Sequence, residues 1–322
     1  MQKEYTYGVA RIRALETTLL SDEAIGQLLS VKSVEEGITF LKDRGWGNSN
    51  ESETIDEMMD SEKRKTLQIL DEVVDTSKEY EILTIQDEYH NLKAAIKQVC
   101  TNQEMAHVFI ENTALEPEFL KTCIREGKFE SLPETMGKVA KEATDTLLRT
   151  GDGQLCDLIV DRATMEALLQ AGKESENELV QRYAEILVAI ANIKIAFRGA
   201  RSGKEEQFLE NSMVPCKEVS VSELRNASSG GIEGIYSYLE GAGFEGGVQA
   251  MKQSPSVFEC WCDNQIINEI KGQKYLSFSI GPIIAYAIAR FNEIKTAKII
   301  LLGKQNGFDE DFIRERVRRM YA

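Results

Sequence analysis

The sequence predicts an all-α protein in which one helical unit of about a hundred residues is used three times. Three observations carry this. The stretch Tyr89-His-Asn-Leu-Lys-Ala-Ala95 returns 101 residues on as Ile190-Ala-Asn-Ile-Lys-Ile-Ala196, and after another 101 as Phe291-Asn-Glu-Ile-Lys-Thr-Ala297. Self-similarity at a fixed period is the mark of a repeated structural unit. Only five prolines occur, and Val and Ile seldom alternate with polar residues over a strand's length, so helix outweighs sheet. A second echo supports the repeat: Glu233-Gly-Ile-Tyr-Ser-Tyr-Leu-Glu-Gly-Ala-Gly-Phe244 resembles Glu36-Gly-Ile-Thr-Phe-Leu-Lys-Asp-Arg-Gly-Trp46.

Within the repeated stretch the columns are chemically consistent. A large apolar residue stands at 89, 190 and 291, and a hydrogen-bonding one at Asn91, Asn192 and Glu293. Lys93, Lys194 and Lys295 follow, then Ala95, Ala196 and Ala297. Asn102, Gly203 and Gly303 are helix-stopping residues placed to close each copy. The repeat divides the chain into units 1–116, 117–215 and 216–322.

Tyr5, Val9, Ile12, Leu15 and Leu19 have helical spacing, so residues 4–20 form a first helix. Ser21 caps a second, and Ser33 a third over Val34–Arg44, with Glu36 three residues on as a capping box. From Glu51 to about Thr101 no breaker occurs, and the acidic start (Glu51, Glu53, Asp56, Glu57, Asp60, Glu62) suits a helix N-terminus. This segment reads as one very long helix or two stacked end to end, of the kind that runs in antiparallel pairs.

The second unit repeats the plan. Helices are expected over Glu118–Glu126, Leu132–Thr150, Leu155–Ala171 and Ser175–Arg201, with a turn at Gly151-Asp-Gly153. In the third, Gly281-Pro282 opens a helix to Leu302, proline being tolerated in a first turn. Asp309–Tyr321 closes the chain as a basic helix.

Composition narrows the function. The formal net charge is −15 and the pI about 4.8, which disfavours nucleic acid and anionic lipid as partners. Six scattered cysteines and two histidines lack zinc-site spacing, and Cys260-Trp-Cys262 is not a CxxC pair, so reduced structural thiols are expected. Met1-Gln-Lys-Glu-Tyr5 has no signal-peptide character and no apolar window reaches membrane-spanning length; a soluble, cytosolic chain is expected.

Several motifs match chemistry only in outline. Asp56-Glu-Met-Met-Asp60 and Asp71-Glu-Val-Val-Asp75 have the DExxD shape used for magnesium and diphosphate in helical prenyl-transfer enzymes, since carboxylates four apart share a helix face. Such enzymes need two facing acidic helices, and these motifs are 15 residues apart on one, so a solvated acidic face is the simpler reading. Gly241-Ala-Gly-Phe-Glu-Gly246 matches GxGxxG but follows a helical pattern where a dinucleotide site needs a strand. Gly199-Ala-Arg-Ser-Gly-Lys204 is one residue short of a P-loop and continues into Glu205. His90 has no serine or cysteine at a suggestive spacing, and a salt-bridged or surface role fits it. No catalytic, cofactor or metal constellation results.

Two cationic groups are the candidate interface. Lys93, Lys194 and Lys295 either lay their stems along a helix interface or line one surface of a pseudo-threefold body. Arg314, Arg316, Arg318 and Arg319 satisfy a helix C-terminus or dock an acidic partner.

Finally, Tyr5-Thr-Tyr-Gly-Val-Ala-Arg-Ile-Arg-Ala-Leu15, Asp87-Glu-Tyr-His-Asn-Leu-Lys93, Pro282-Ile-Ile-Ala-Tyr286 through Glu293, Gly303-Lys304 and Ile313-Arg314-Glu315 stand in an order and spacing that resemble the C subunit of V-type (A-type) rotary ATPases, the family of the eukaryotic V-ATPase d subunit. The resemblance covers nearly the whole chain. It implies a funnel-like body of three similar helical domains with long antiparallel helices and no catalytic residues or cofactor. It further implies one copy per complex, on the cytoplasmic face of the membrane rotor ring (c/K subunits). There the protein would receive the D and F subunits of the central stalk and pass torque that drives protons or sodium ions.

Overall fold

The computed structural model describes residues 5–48, 53–104, 107–203 and 206–322. Met1 to Glu4, Glu51, Lys204 and Glu205 lie outside the described residues. Among the described residues every regular element is helical. The chain begins with α1 (Thr6–Glu16), α2 (Asp22–Ser30), α3 (Val34–Lys42) and α4 (Ile55–Val73). It continues with α5 (Ile85–Thr101), α6 (Pro117–Glu126), α7 (Glu134–Thr150) and α8 (Gly153–Glu174). Then come α9 (Glu178–Ser202), α10 (Glu206–Ser212), α11 (Val221–Ser229) and α12 (Gly231–Gly241). Last are α13 (Glu245–Gln253), α14 (Pro255–Ile270), α15 (Gly281–Gln305) and α16 (Glu310–Arg314).

Local chemistry sets most boundaries. Ser21, Ser33, Asp152, Ser220, Ser254 and Asp309 each accept a hydrogen bond from a first-turn amide that has no helical partner. Thr54 and Glu57 form a complete capping box on α4. At Ser33 the box is only half made: Ser33 caps Glu36 N, but the Glu36 carboxylate takes the Lys32 amide, 2.8 Å away. Gly127 and Gly151 end α6 and α7 with φ of +68° and +67°, a conformation that costs glycine nothing.

Of the two alternatives, one long helix or two in succession, the described residues 53–101 show two. Helix α4 stops at Val73, Val74 turns extended (φ −123°, ψ 138°), and two short 3-10 turns lead to α5. No Gly or Pro forces this. Val74, Tyr80 and Ile82 are buried in the irregular stretch, and the Tyr80 hydroxyl donates back to Asp71 near the helix end. Burial of three large side chains overrides a continuous helical pattern. The closing helix is also shorter than expected: α16 covers Glu310–Arg314, and residues 317–322 are irregular.

The chain folds into two compact units. One comprises Met1–Tyr80, Asn177–Val180 and Gly243–Ala322, and the other Glu81–Glu176 and Gln181–Ala242. In the first, α15 is the axis: 17 of its 25 residues are buried, as expected of a helix covered on all sides. It packs against α1, α2, α3, α4, α14 and α16, and its Ala297, Ile300 and Leu301 share a core with Leu28, Leu29, Leu41, Met58 and Ile313. In the second unit, α5 lies against α6, α7 and α8, burying Leu92, Ile96, Leu120, Met136, Ala140 and Val160. No helix among the described residues is long and apolar enough to cross a membrane.

Candidate functional site

The recurring stretch occupies α5, α9 and α15, and its hydrogen-bonding column acts on backbone. Asn91, fully buried, donates to the Ile110 carbonyl at 2.8 Å and accepts from the Ile110 amide at 2.8 Å. Asn192, also fully buried, does the same to Val214, at 2.7 and 3.1 Å. A side-chain amide here replaces the ladder that a connector leaving a helix lacks, so neither backbone group is buried unpaired. In the third copy the two bonds are divided. Asn292 donates to the Arg319 carbonyl at 3.0 Å, while the adjacent Glu293 accepts from the Leu20 amide. Asn102 and Gly203 close their helices with positive φ. Gly303 does not: α15 runs on to Gln305, and Gly303 is small because a Cβ there would come within 2.7 Å of Ile313 Cγ1.

The repeated lysines sit on the same helices. Lys93 pairs with Asp161 of α8 at 2.6 Å, and Lys295 with Asp263 of α14 at 2.7 Å. Lys194 is half-buried on α9 and engaged. A second cationic column escapes the sequence reading. Counting six residues from each asparagine gives Lys97, Arg198 and Lys298, and Lys97 holds Asp157 at 2.8 Å while Lys298 holds Asp56 at 2.6 Å. The signal is present in the sequence, but only when spacing is counted from the asparagine.

The four C-terminal arginines are placed differently from one another. Arg314 pairs with Glu310 one turn back. Arg316 lies 3.6 Å over the Phe312 ring and donates to the Phe312 carbonyl at 2.6 Å. Arg318 is buried and donates to Asp263 at 2.8 Å, so this carboxylate joins Lys295 to the tail. The Arg319 amide donates to Asn264 at 2.8 Å and its side chain is exposed. Together with Asn292, these bonds hold the last residues as a strap, which is why they do not continue the helix.

Sequence reading gives no hint of a buried ionic cluster in the first unit. Glu62 and Glu293 are 2% and 1% exposed, and Arg290 bridges them. The Arg290 guanidinium also stacks 4.3 Å from the centre of the Trp46 ring. Glu62 accepts from the Gly47 amide at 2.7 Å and from Lys65 at 2.7 Å, and Lys65 reaches the Gly47 carbonyl at 2.7 Å. Burial pushes the Glu293 carboxyl up despite the Arg290 charge beside it. Desolvation works to lower Arg290, but the carboxylates of Glu293 and Glu62 outweigh it and hold it raised. Nothing local marks these residues, because Arg290 and Glu62 are separated by 228 positions.

The remaining motifs resolve into packing. Asp56 is exposed and paired with Lys298, Asp71 takes the Tyr80 hydroxyl, and Asp75 lies beyond the end of α4. Gly241 to Gly246 joins α12 to α13, so a helix precedes it. Gly246 and Gly247 leave room for Trp261, whose ring a Cβ would meet at 2.9 and 3.0 Å. His90 lies 2.9 Å from the Val108 carbonyl. All six cysteines are free thiols, and burial raises the Cys156 thiol to about 11. Among the described residues no three His, Cys, Asp or Glu side chains converge as metal ligands.

Fold and geometry thus define a helical scaffold whose amide and charged side chains fix its own connectors. The profile of the ATP synthase (C/AC39) subunit family matches residues 8–316, and the chain belongs to that family. It is 24% identical to the C subunit of the A-type ATP synthase of Methanocaldococcus jannaschii, over 96% of this chain and 85% of that protein. It is 20% identical to the C subunit of the V-type sodium ATPase of Enterococcus hirae, over 96% of this chain and 97% of that one. A third relative, the C subunit of the A-type ATP synthase of Thermococcus kodakarensis, is 20% identical over 97% and 90% of the two chains.

Proposed function

We propose that this chain is the non-catalytic rotor component of a V/A-type ATPase, joining the D and F subunits of the central stalk to the membrane rotor ring and transmitting torque between them. In this reading the units 1–116, 117–215 and 216–322 are three similar lobes in a pseudo-threefold, funnel-like arrangement. One copy serves each complex, on the cytoplasmic face. The observation that carries the reading is the recurrence of a connector clamp, whole at Asn91 and Asn192 and divided between Asn292 and Glu293, within a chain that matches the family almost end to end. A torque-bearing part must not flex at its connectors, and a side-chain amide bonded to a connector's backbone supplies that stiffness. Lys93, Lys295 and Arg318 serve by holding helices and tail together, while Arg314 and Arg319, exposed, are the cations that face a partner.

Native mass spectrometry of the chain mixed with purified D–F stalk and detergent-solubilised ring tests this. The expected result is a bridged complex with one copy of this chain, formed only when the chain is present. Failure to bind either partner at micromolar concentration would sink the rotor reading.

A further inference from the structure

Between Glu269 and Glu293 the chain carries no acidic residue, and the exposed part of that run displays three large apolar side chains within four positions. Tyr275 is 87% exposed, Leu276 46% and Phe278 71%. Such a cluster is costly to leave in water and on a soluble surface marks an interaction site. It is also built to stay in place. The Arg13 guanidinium, gripped by Glu16 at 2.8 Å, donates to the carbonyls of Gln273 and Leu276, both at 2.7 Å. Lys274 donates to the Tyr321 carbonyl and lies 4.5 Å from the centre of that ring. The Tyr321 hydroxyl returns to Glu16 at 3.1 Å. On the other side α15 begins with glycine because the Gln273 side chain occupies the space a Cβ would need. Helix α1, the tail and the loop are therefore one cross-bonded pedestal, and a preorganised loop loses little freedom on binding.

We propose that the Tyr275–Phe278 loop is a docking surface for a protein partner with an apolar centre and a carboxylate rim. The apolar side chains define the centre. Lys271, on a run free of acidic residues, and Lys274, whose ammonium also holds the Tyr321 carbonyl, are the charges of residues 270–280 and define the rim by complementarity. An anionic bilayer would meet the same side chains, but a chain of net charge −15 is repelled from it. The inference rests on the rotor reading, which supplies D–F and the ring as the proteins to test.

The test compares the full chain with Tyr275→Ser/Phe278→Ser, a pair exposed enough for the fold to survive, and with Leu148→Ser/Leu155→Ser as an exposed apolar control in the other unit. Affinity for D–F and for the ring is measured, with amide exchange read over residues 271–279 and thermal unfolding as the folding check. The expected result is protection of the loop by one partner and a loss of affinity of roughly 30-fold or more in the loop variant. The control variant should bind as wild type does. Wild-type binding with an unprotected loop and an unaffected loop variant overturns the docking surface and leaves the rotor reading standing. Binding of neither protein by wild type overturns both. Capture of wild type by phosphatidylserine vesicles, lost in the loop variant, would assign the loop to lipid and overturn the proposal as well.

Discussion

The two compact units solve one problem with different chemistry. Each must fix an irregular connector against a long helix. The second unit does so with neutral groups, Asn91 on Ile110 and Asn192 on Val214, each amide making both bonds itself. The first divides the work between Asn292 and a buried carboxylate, Glu293, and then has to neutralise that charge. Arg290 answers both Glu293 and Glu62, and Lys65 adds a second cation at the edge. A neutral clamp is self-contained, whereas a charged one commits four segments of chain to each other. The first unit is therefore more sensitive to losing one side chain.

The largest expected effect follows directly. Arg290→Met should destabilise the first unit by about 3–5 kcal/mol, because it leaves two buried carboxylates without their main counter-charge. The pH dependence carries the sign. A carboxyl whose folded-state pKa lies above its unfolded value favours folding below the unfolded value, and that contribution is lost as pH rises through the folded one. Glu293 is already raised by burial, and removing Arg290 moves it further the same way. The deficit should thus shrink as pH falls toward about 4–5, where the unfolded carboxyls also protonate. Denaturant unfolding at several pH values measures it. A deficit that grows on acidification would show that the cluster is not what Arg290 supports. Adding Glu293→Gln to Arg290→Met should restore part of the loss, since the amide oxygen can still accept from Leu20.

Legibility divided instead between local and distant partners. Helices α6 to α9, the caps at Ser21 and Ser33 and the Gly281-Pro282 start could be read because each depends on neighbours within a turn. The repeat located Asn91 and Asn192 by their recurrence, although their partners Ile110 and Val214 lie 19 and 22 residues on. The position of the break after Val73, the strap after Arg314 and the Glu62–Arg290–Glu293 cluster could not be read. The break follows from burial of Val74, Tyr80 and Ile82, the strap from bonds to Asn264 and Asn292, and the cluster from partners more than two hundred residues apart. In the third copy the repeat even concealed the chemistry, since aligning Glu293 with the asparagines hides Asn292 beside it.

The neutral clamps allow a finer comparison within the second unit. Val214 is buried while Ile110 is half-buried, so an abandoned backbone pair at 110 is nearer to water. Asn192→Ala should cost about 3 kcal/mol and Asn91→Ala about 1–2 kcal/mol. Thermal unfolding ranks them, and amide exchange should show opening at Val214 in the first variant and at Ile110 in the second. Equal costs would mean that exposure of the connector does not set the strength of the clamp.

The smallest effect separates the two readings of the repeated lysines. Lys93→Met removes a pair whose acid, Asp161, is 56% exposed, so solvent screening leaves about 0.5 kcal/mol at most. Lys295→Met should cost less still, because Asp263 keeps Arg318 at 2.8 Å. Methionine preserves the apolar stem, so any packing the lysine provides remains. If the lysines only hold helices, neither variant changes affinity for the D–F stalk or the ring. If instead they meet a partner's carboxylates, affinity falls while the unfolding midpoint stays put, and the loss fades as salt rises. Titrating both variants against D–F and the ring at low and high salt distinguishes these outcomes, and the small stability costs fix how large a change must be to count as binding.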